Sequence, residues 1–175
     1  MPDAPNAPKK SIALVGLMGA GKSTVGRRLA KRLGLAFVDS DREIEAAAGL
    51  DVAGIFERFG EAHFREGERR VMARLVDGPL RVIATGGGAF VDEATRALIL
   101  ARCTAIWLDA DVATLAERVA RRGRRPLLEG REPAAALEDL ARARAPIYAE
   151  AHLTIRAGYC DHEEMVERIV AALAR

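Results

Sequence analysis

The densest cluster of chemistry-bearing residues is Gly16-Leu-Met-Gly-Ala-Gly21-Lys22-Ser23, followed by Thr24. Its spacing, G-x-x-x-x-G-K-[ST], is that of a phosphate-binding loop. Glycines there let backbone N–H groups curl around phosphate oxygens, and the start of the next helix adds its positive end. Lys22 can reach the β- and γ-phosphates, and the Ser23 hydroxyl can coordinate Mg²⁺. An apolar run precedes the loop and a helical pattern follows it, the context the motif requires. The expected ligand is a nucleoside triphosphate with Mg²⁺.

Four other clusters carry candidate chemistry. In Asp39-Ser40-Asp41, two carboxylates two residues apart in extended chain would point to opposite sides. One could hold a metal's water shell and the other face an acceptor hydroxyl; equally, Asp41 could only cap a helix starting at Arg42. In Phe64-Arg65-x-x-Glu68, Arg65 and Glu68 share a helix face. They are either a surface ion pair or an arginine fork for a substrate carboxylate. Thr85-Gly86-Gly87-Gly88 follows a strand, where glycines suit a close backbone approach to a ligand, or a flexible turn. Arg118 to Arg131 holds six arginines against one acid, Glu129. Gly123, Pro126 and Gly130 break helix there, so a mobile basic lid over phosphates is expected, although Arg121 and Arg122 suit a solvated helix end.

The elements that must position these groups alternate. Ser11–Val15, Leu35–Val38, Val82–Ala84, Cys103–Leu108 and Leu153–Ile155 read as buried strands. Helices are expected over Lys22–Leu33, Asp41–Ala48, Val52–Phe59, Glu61–Val76, Glu93–Ala101, Asp111–Arg122, Pro133–Glu150 and Glu163–Ala174. Val112, Leu115, Ala116 and Val119 fall on one helical face behind an Asp111 cap. Asp161 and Glu164 have the spacing of a capping box, with Asp for Ser/Thr. Strands alternating with helices give a parallel sheet covered on both faces, with ligands outside the strands' carboxyl ends. All of the glycine and carboxylate clusters fall at such ends.

Length and composition narrow the rest. The 175 residues suit one domain, half of them are hydrophobic, and the net charge is only +2. That balance, with 5% aromatics, argues against a nucleic-acid binder. Cys103 and Cys160 show no metal or disulfide spacing, and His63, His152 and His162 show none for a metal. Cys103 and Trp107 read as core. No apolar run approaches a membrane span, and residues 1–10 read as a disordered leader without a signal-peptide core, so a cytoplasmic protein is expected.

Taken in order, the stretches GLMGAGKST (Gly16–Thr24), DSD (Asp39–Asp41), Phe64-Arg65-Glu66-Gly67-Glu68, TGGGA (Thr85–Ala89), RPLL (Arg125–Leu128) and RAPIYAEA (Arg144–Ala151) resemble the shikimate kinase family. The likeness runs from Ser11 to about Leu173. It implies a single α/β domain of the P-loop, nucleoside monophosphate kinase type. That fold has three α/β/α layers and a five-stranded parallel sheet of order 2-3-1-4-5. A substrate-binding helical region would lie near residues 41–76 and a short lid near 123–132. It implies ATP-dependent phosphorylation of the shikimate 3-hydroxyl, in chorismate and aromatic amino-acid biosynthesis, by a monomer. The loop residues Gly19, Ala20, Gly21, Lys22, Ser23 and Thr24 would bind the ATP phosphates. Ser23 would ligate Mg²⁺, with Asp39 holding one of its waters. Asp41 would contact the reacting hydroxyl, and Arg65 and Arg144 the shikimate carboxylate. Gly87 and Gly88 would offer backbone contacts. Arg125 would reach ATP from the lid, and Arg118 would pack against adenine.

Two stretches depart from the family pattern. Gly54 sits inside the expected Val52–Phe59 helix, at a cost of about 1 kcal/mol. Arg156–His162, which borders adenine in relatives, lacks the usual Thr and Pro. The rival readings are a kinase of another carboxylated metabolite, such as gluconate, and a non-catalytic ATP-binding relative. The latter is disfavoured because Lys22, Asp41, Arg65 and Arg144 are all present.

Overall fold

Ser11–Val15 is apolar after its first residue and buried throughout, as a strand covered on both faces must be. It opens the chain in the computed structural model, which describes residues 8–121, 130, 132–158 and 160–175. Among these, strands and helices follow in order: β1 (Ser11–Val15), α1 (Lys22–Leu33), β2 (Ala36–Asp39), α2 (Ser40–Ala48), α3 (Val52–Val76), β3 (Arg81–Ala84), α4 (Glu93–Arg102), β4 (Cys103–Ala110), α5 (Val112–Ala120), α6 (Pro133–Tyr148), β5 (Leu153–Ala157) and α7 (His162–Leu173). All strand pairs are parallel, in the order β2-β3-β1-β4-β5. This is the expected sheet.

The core lies on the central strands. Ile12, Leu14, Leu29, Ile83 and Ile106 have no exposed surface. Each such side chain contributes about 1.5–3 kcal/mol by leaving water. Cys103 is equally buried, and that burial pushes its thiol pKa up to about 11. It is a packing residue, since a nucleophilic cysteine needs a thiolate. Trp107 is only partly buried and stacks on Tyr148.

Register brings the motif segments together. Leu14 and Asp39 both pair with Ala84, so Gly16, Ser40 and Thr85 leave the sheet side by side. Two bonds lock these exits. Thr85 Oγ1 donates to the Leu14 carbonyl at 2.9 Å, and the Gly86 amide donates to Ser40 Oγ at 3.0 Å.

Side-chain caps set most helix starts. Asp51, Asp92, Asp111, Glu132 and Asp161 each accept from an amide in their helix's first turn. The Asp111 and Asp161 caps were expected. Asp51 accepts from the Gly54 amide at 2.8 Å. Gly54 therefore lies in the first turn, where the interior-glycine cost does not apply in full. Helix α3 is kinked at Gly60 (φ 84°, ψ 171°), which divides it into the two expected helices. No helix among the described residues is long and apolar enough to cross a membrane.

Candidate active site

The loop after β1 takes its shape from three glycines with positive φ: Gly16 (140°), Gly19 (80°) and Gly21 (92°). These backbone conformations are costly for any residue with a Cβ. Gly21 is the N-cap of α1 and supplies no side-chain cap, as a glycine must. Lys22 is buried, and its Nζ donates to the carbonyls of Gly16 (2.6 Å) and Leu17 (2.8 Å). Arg118 of α5 donates to the Gly19 carbonyl at 3.1 Å and so braces the loop from behind.

The DSD segment divides its labour differently from the extended-chain expectation. Asp39 ends β2 and is itself the N-cap of α2, its Oδ1 accepting from the Asp41 amide at 3.0 Å. Asp41 therefore lies in the helix's first turn and does not cap it. The other Asp39 oxygen, Oδ2, accepts from Ser23 Oγ at 2.5 Å. Hard oxygen donors in that pairing suit Mg²⁺, which prefers oxygen and keeps several waters.

On the facing side, Arg65 donates to Glu68 at 2.9 Å. This is no surface pair: the Glu68 side chain is 1% exposed and that of Arg65 17%. Burial raises the Glu68 pKa, the Arg65 charge and hydrogen bond oppose that shift, and the Asp41 and Asp92 charges add to it. Gly86, Gly87 and Gly88 do not have positive φ. Closeness, not backbone freedom, selects two of them. A Cβ on Gly86 would fall 2.5 Å from Asp41 Oδ1, and one on Gly88 2.4 Å from Arg65 Nη1. Gly87 turns its carbonyl to α6, where it accepts from Arg144 at 3.1 Å and from the Tyr148 hydroxyl. Burial raises the Tyr148 pKa, opposed by the Arg144 charge. One cleft is lined from both sides, by Lys22, Ser23 and Asp39 with Asp41, Thr85 and Gly87.

A sequence model of shikimate kinase matches residues 18–174. The chain belongs to the shikimate kinase family. The shikimate kinase of Caulobacter vibrioides strain NA1000 is 56% identical over 164 residues, covering 94% of this chain and 82% of the relative. That of Zymomonas mobilis is 51% identical over 176 aligned residues, covering all of both chains. Among solved structures, shikimate kinase from Acinetobacter baumannii, in complex with shikimate, superposes with a TM-score of 0.92 at 39% identity, covering 95% of this chain and 94% of that one.

Within this shikimate kinase fold, the expected Lys22, Ser23, Asp39, Asp41 and Gly87 line one cleft. Arg65 packs at Gly88 and Arg144 at Gly87. Arg125 and the RPLL stretch lie outside the described residues. Ser40, Thr85 and Tyr148 fall inside the named stretches, but no role was assigned to them there. Tyr148 had a signal, standing four residues after Arg144 on the same helix face. The hydrogen bonds of Ser40 and Thr85 had no signal, because their partners lie at other strands' exits.

Proposed function

We propose that this chain transfers the γ-phosphoryl group of ATP to the 3-hydroxyl of shikimate, giving shikimate 3-phosphate, ADP and the proton released from that hydroxyl. The observation that carries the assignment is the single cleft in which Lys22 and Ser23 meet Asp41 and Gly87. In it, the amides of Gly19, Ala20, Gly21, Lys22, Ser23 and Thr24 hold the ATP phosphates. Lys22 exchanges two neutral carbonyls for charged phosphate oxygens, a stronger bond for an ammonium. Ser23 and Asp39, already paired, would hold Mg²⁺, which when bound would supply neutralisation of phosphate charge. Arg118 steadies the loop through the Gly19 carbonyl.

Arg65 and Arg144 hold the shikimate carboxylate, with Gly87 and Gly88 lending backbone contacts. Glu68 fixes the plane of Arg65, so the fork is oriented before substrate arrives. Asp41 then accepts from the 3-hydroxyl and aligns it with the γ-phosphorus. Phosphoryl transfer asks for little else: in-line positioning and neutralised oxygens supply most of the catalysis. The product feeds chorismate and aromatic amino-acid synthesis. One chain supplies every residue invoked, so a monomer suffices for the reaction; we propose that it works in the cytoplasm.

The test is ADP release with MgATP and, in turn, shikimate, gluconate, AMP or no acceptor. Turnover with shikimate alone is expected. Turnover with gluconate instead would move the specificity, and ATP binding without turnover would indicate a regulatory relative.

A further inference from the structure

The acceptor pocket has two halves, α3 with Arg65 and the glycine turn with Gly87 and Gly88, and their relative position must be held. Arg65 touches the turn at Gly88. Four residues on, one helical turn along the same face, Arg69 reaches past the turn to Asp92. Arg69 Nε lies 3.0 and 3.1 Å from the two Asp92 oxygens, and its Nη2 lies 2.9 Å from Oδ1. Asp92 is fixed in its turn. Its Oδ2 accepts from the Thr95 amide at 3.0 Å and from Thr95 Oγ1 at 2.9 Å, as the cap of α4. Its own amide donates to the Gly88 carbonyl at 3.4 Å, beside that of Val91 at 3.1 Å. A continuous path therefore runs from α3 through Arg69 and Asp92 to the glycine on which Arg65 rests. The neighbouring pairs of α3 do other work: Arg70 bonds Glu66 within the helix, and Arg74 bonds Glu43 of α2.

We propose that Arg69 and Asp92 are positioning residues that set α3 against the glycine turn, and so fix where Arg65 meets the acceptor carboxylate. This rests on the assignment of Arg65 given above. The hydrogen bonds from Arg69 hold the Asp92 carboxyl at a pKa of about 2, so the pair is ionised wherever the enzyme works. Arg69 is half-exposed, and an ion pair of that kind adds little to global stability. Its effect is on the placement of Arg65 and not on folding.

Arg69→Ala, Asp92→Ser and the double variant test this, serine being chosen because it still caps α4. Each single change is expected to raise the shikimate KM about fivefold while MgATP KM and Tm stay put. The double variant should be no worse than either single, and Arg69→Lys should restore part of the loss. An unchanged shikimate KM in both singles would overturn the proposal. So would a parallel rise in both KM values with a fall in Tm, the mark of a structural role. The parent enzyme is assayed alongside. If it does not phosphorylate shikimate, the underlying assignment fails too; if it does and the variants match it, this proposal alone fails.

Discussion

Asp39 takes the α2 cap and the Ser23 hydrogen bond, which spares Asp41 both tasks. Asp41→Asn keeps the shape and the cap but weakens the acceptor for the reacting hydroxyl. It should lower kcat about 10²- to 10⁴-fold with little change in MgATP KM; an unchanged kcat would remove Asp41 from the chemistry. Gly88 is a second residue with a defined test. Its added Cβ would meet Arg65 Nη1, Nη2 and Cζ at 2.4–2.6 Å, so Gly88→Ala must displace that guanidinium. The shikimate KM should rise about tenfold, the scale of a hydrogen bond to a charged group, with Tm nearly unchanged. At this scale the sequence was legible where spacing carries the chemistry, as in Gly16–Ser23. The pairing of Arg65 with Glu68 was legible too. The burial of Glu68 was not, because it depends on which elements fold over that helix face. The same holds for Arg69 and Asp92, whose charges are ordinary until the fold brings α3 beside the start of α4.

Among the elements, the two halves of α3 meet at Gly60, whose φ of 84° and ψ of 171° belong to a region almost closed to other residues. Gly60→Ala should cost about 1–3 kcal/mol, read as a lower denaturation midpoint. Unaltered stability would mean that the kink does not need glycine. The junction of α3 with α4 has a pH signature. Asp92 has a folded pKa of about 2, below the ordinary 3.8, so between those values the unfolded chain binds more protons. Its contribution is complete above pH 3.8 and is lost as the pH falls through about 2. The pair is half-exposed and its contribution small, so Asp92→Ser should flatten that part of the curve only slightly, measured by chemical denaturation across the acid range, and leave the neutral-pH Tm in place; a large loss of stability at neutral pH would contradict the assignment. Element types were legible throughout because apolar periodicity and Asp caps agree. Ends were less so. Strand β4 runs on to Ala110 because it pairs with β5 as far as Ala157, a long-range match that no local pattern displays.

At the scale of the molecule, alternating strands and helices dictated a parallel sheet, and the order of its strands came with the family likeness. Neither dictated the convergence. Three segments distant in sequence share one cleft because Gly16, Ser40 and Thr85 leave the carboxyl ends of adjacent strands, and α6 brings Arg144 and Tyr148 to the Gly87 carbonyl beside it. That convergence sets the Gly16–Ser23 loop against Asp41 and Gly87, and the central claim is that the phosphoryl group of ATP crosses to shikimate between them. Identifying the products of MgATP and shikimate by ³¹P NMR and mass spectrometry tests this most directly. The account predicts one ADP per shikimate consumed, with the phosphorus on the oxygen of C3. ADP appearing with inorganic phosphate while shikimate persists, or phosphate on another hydroxyl, would contradict it.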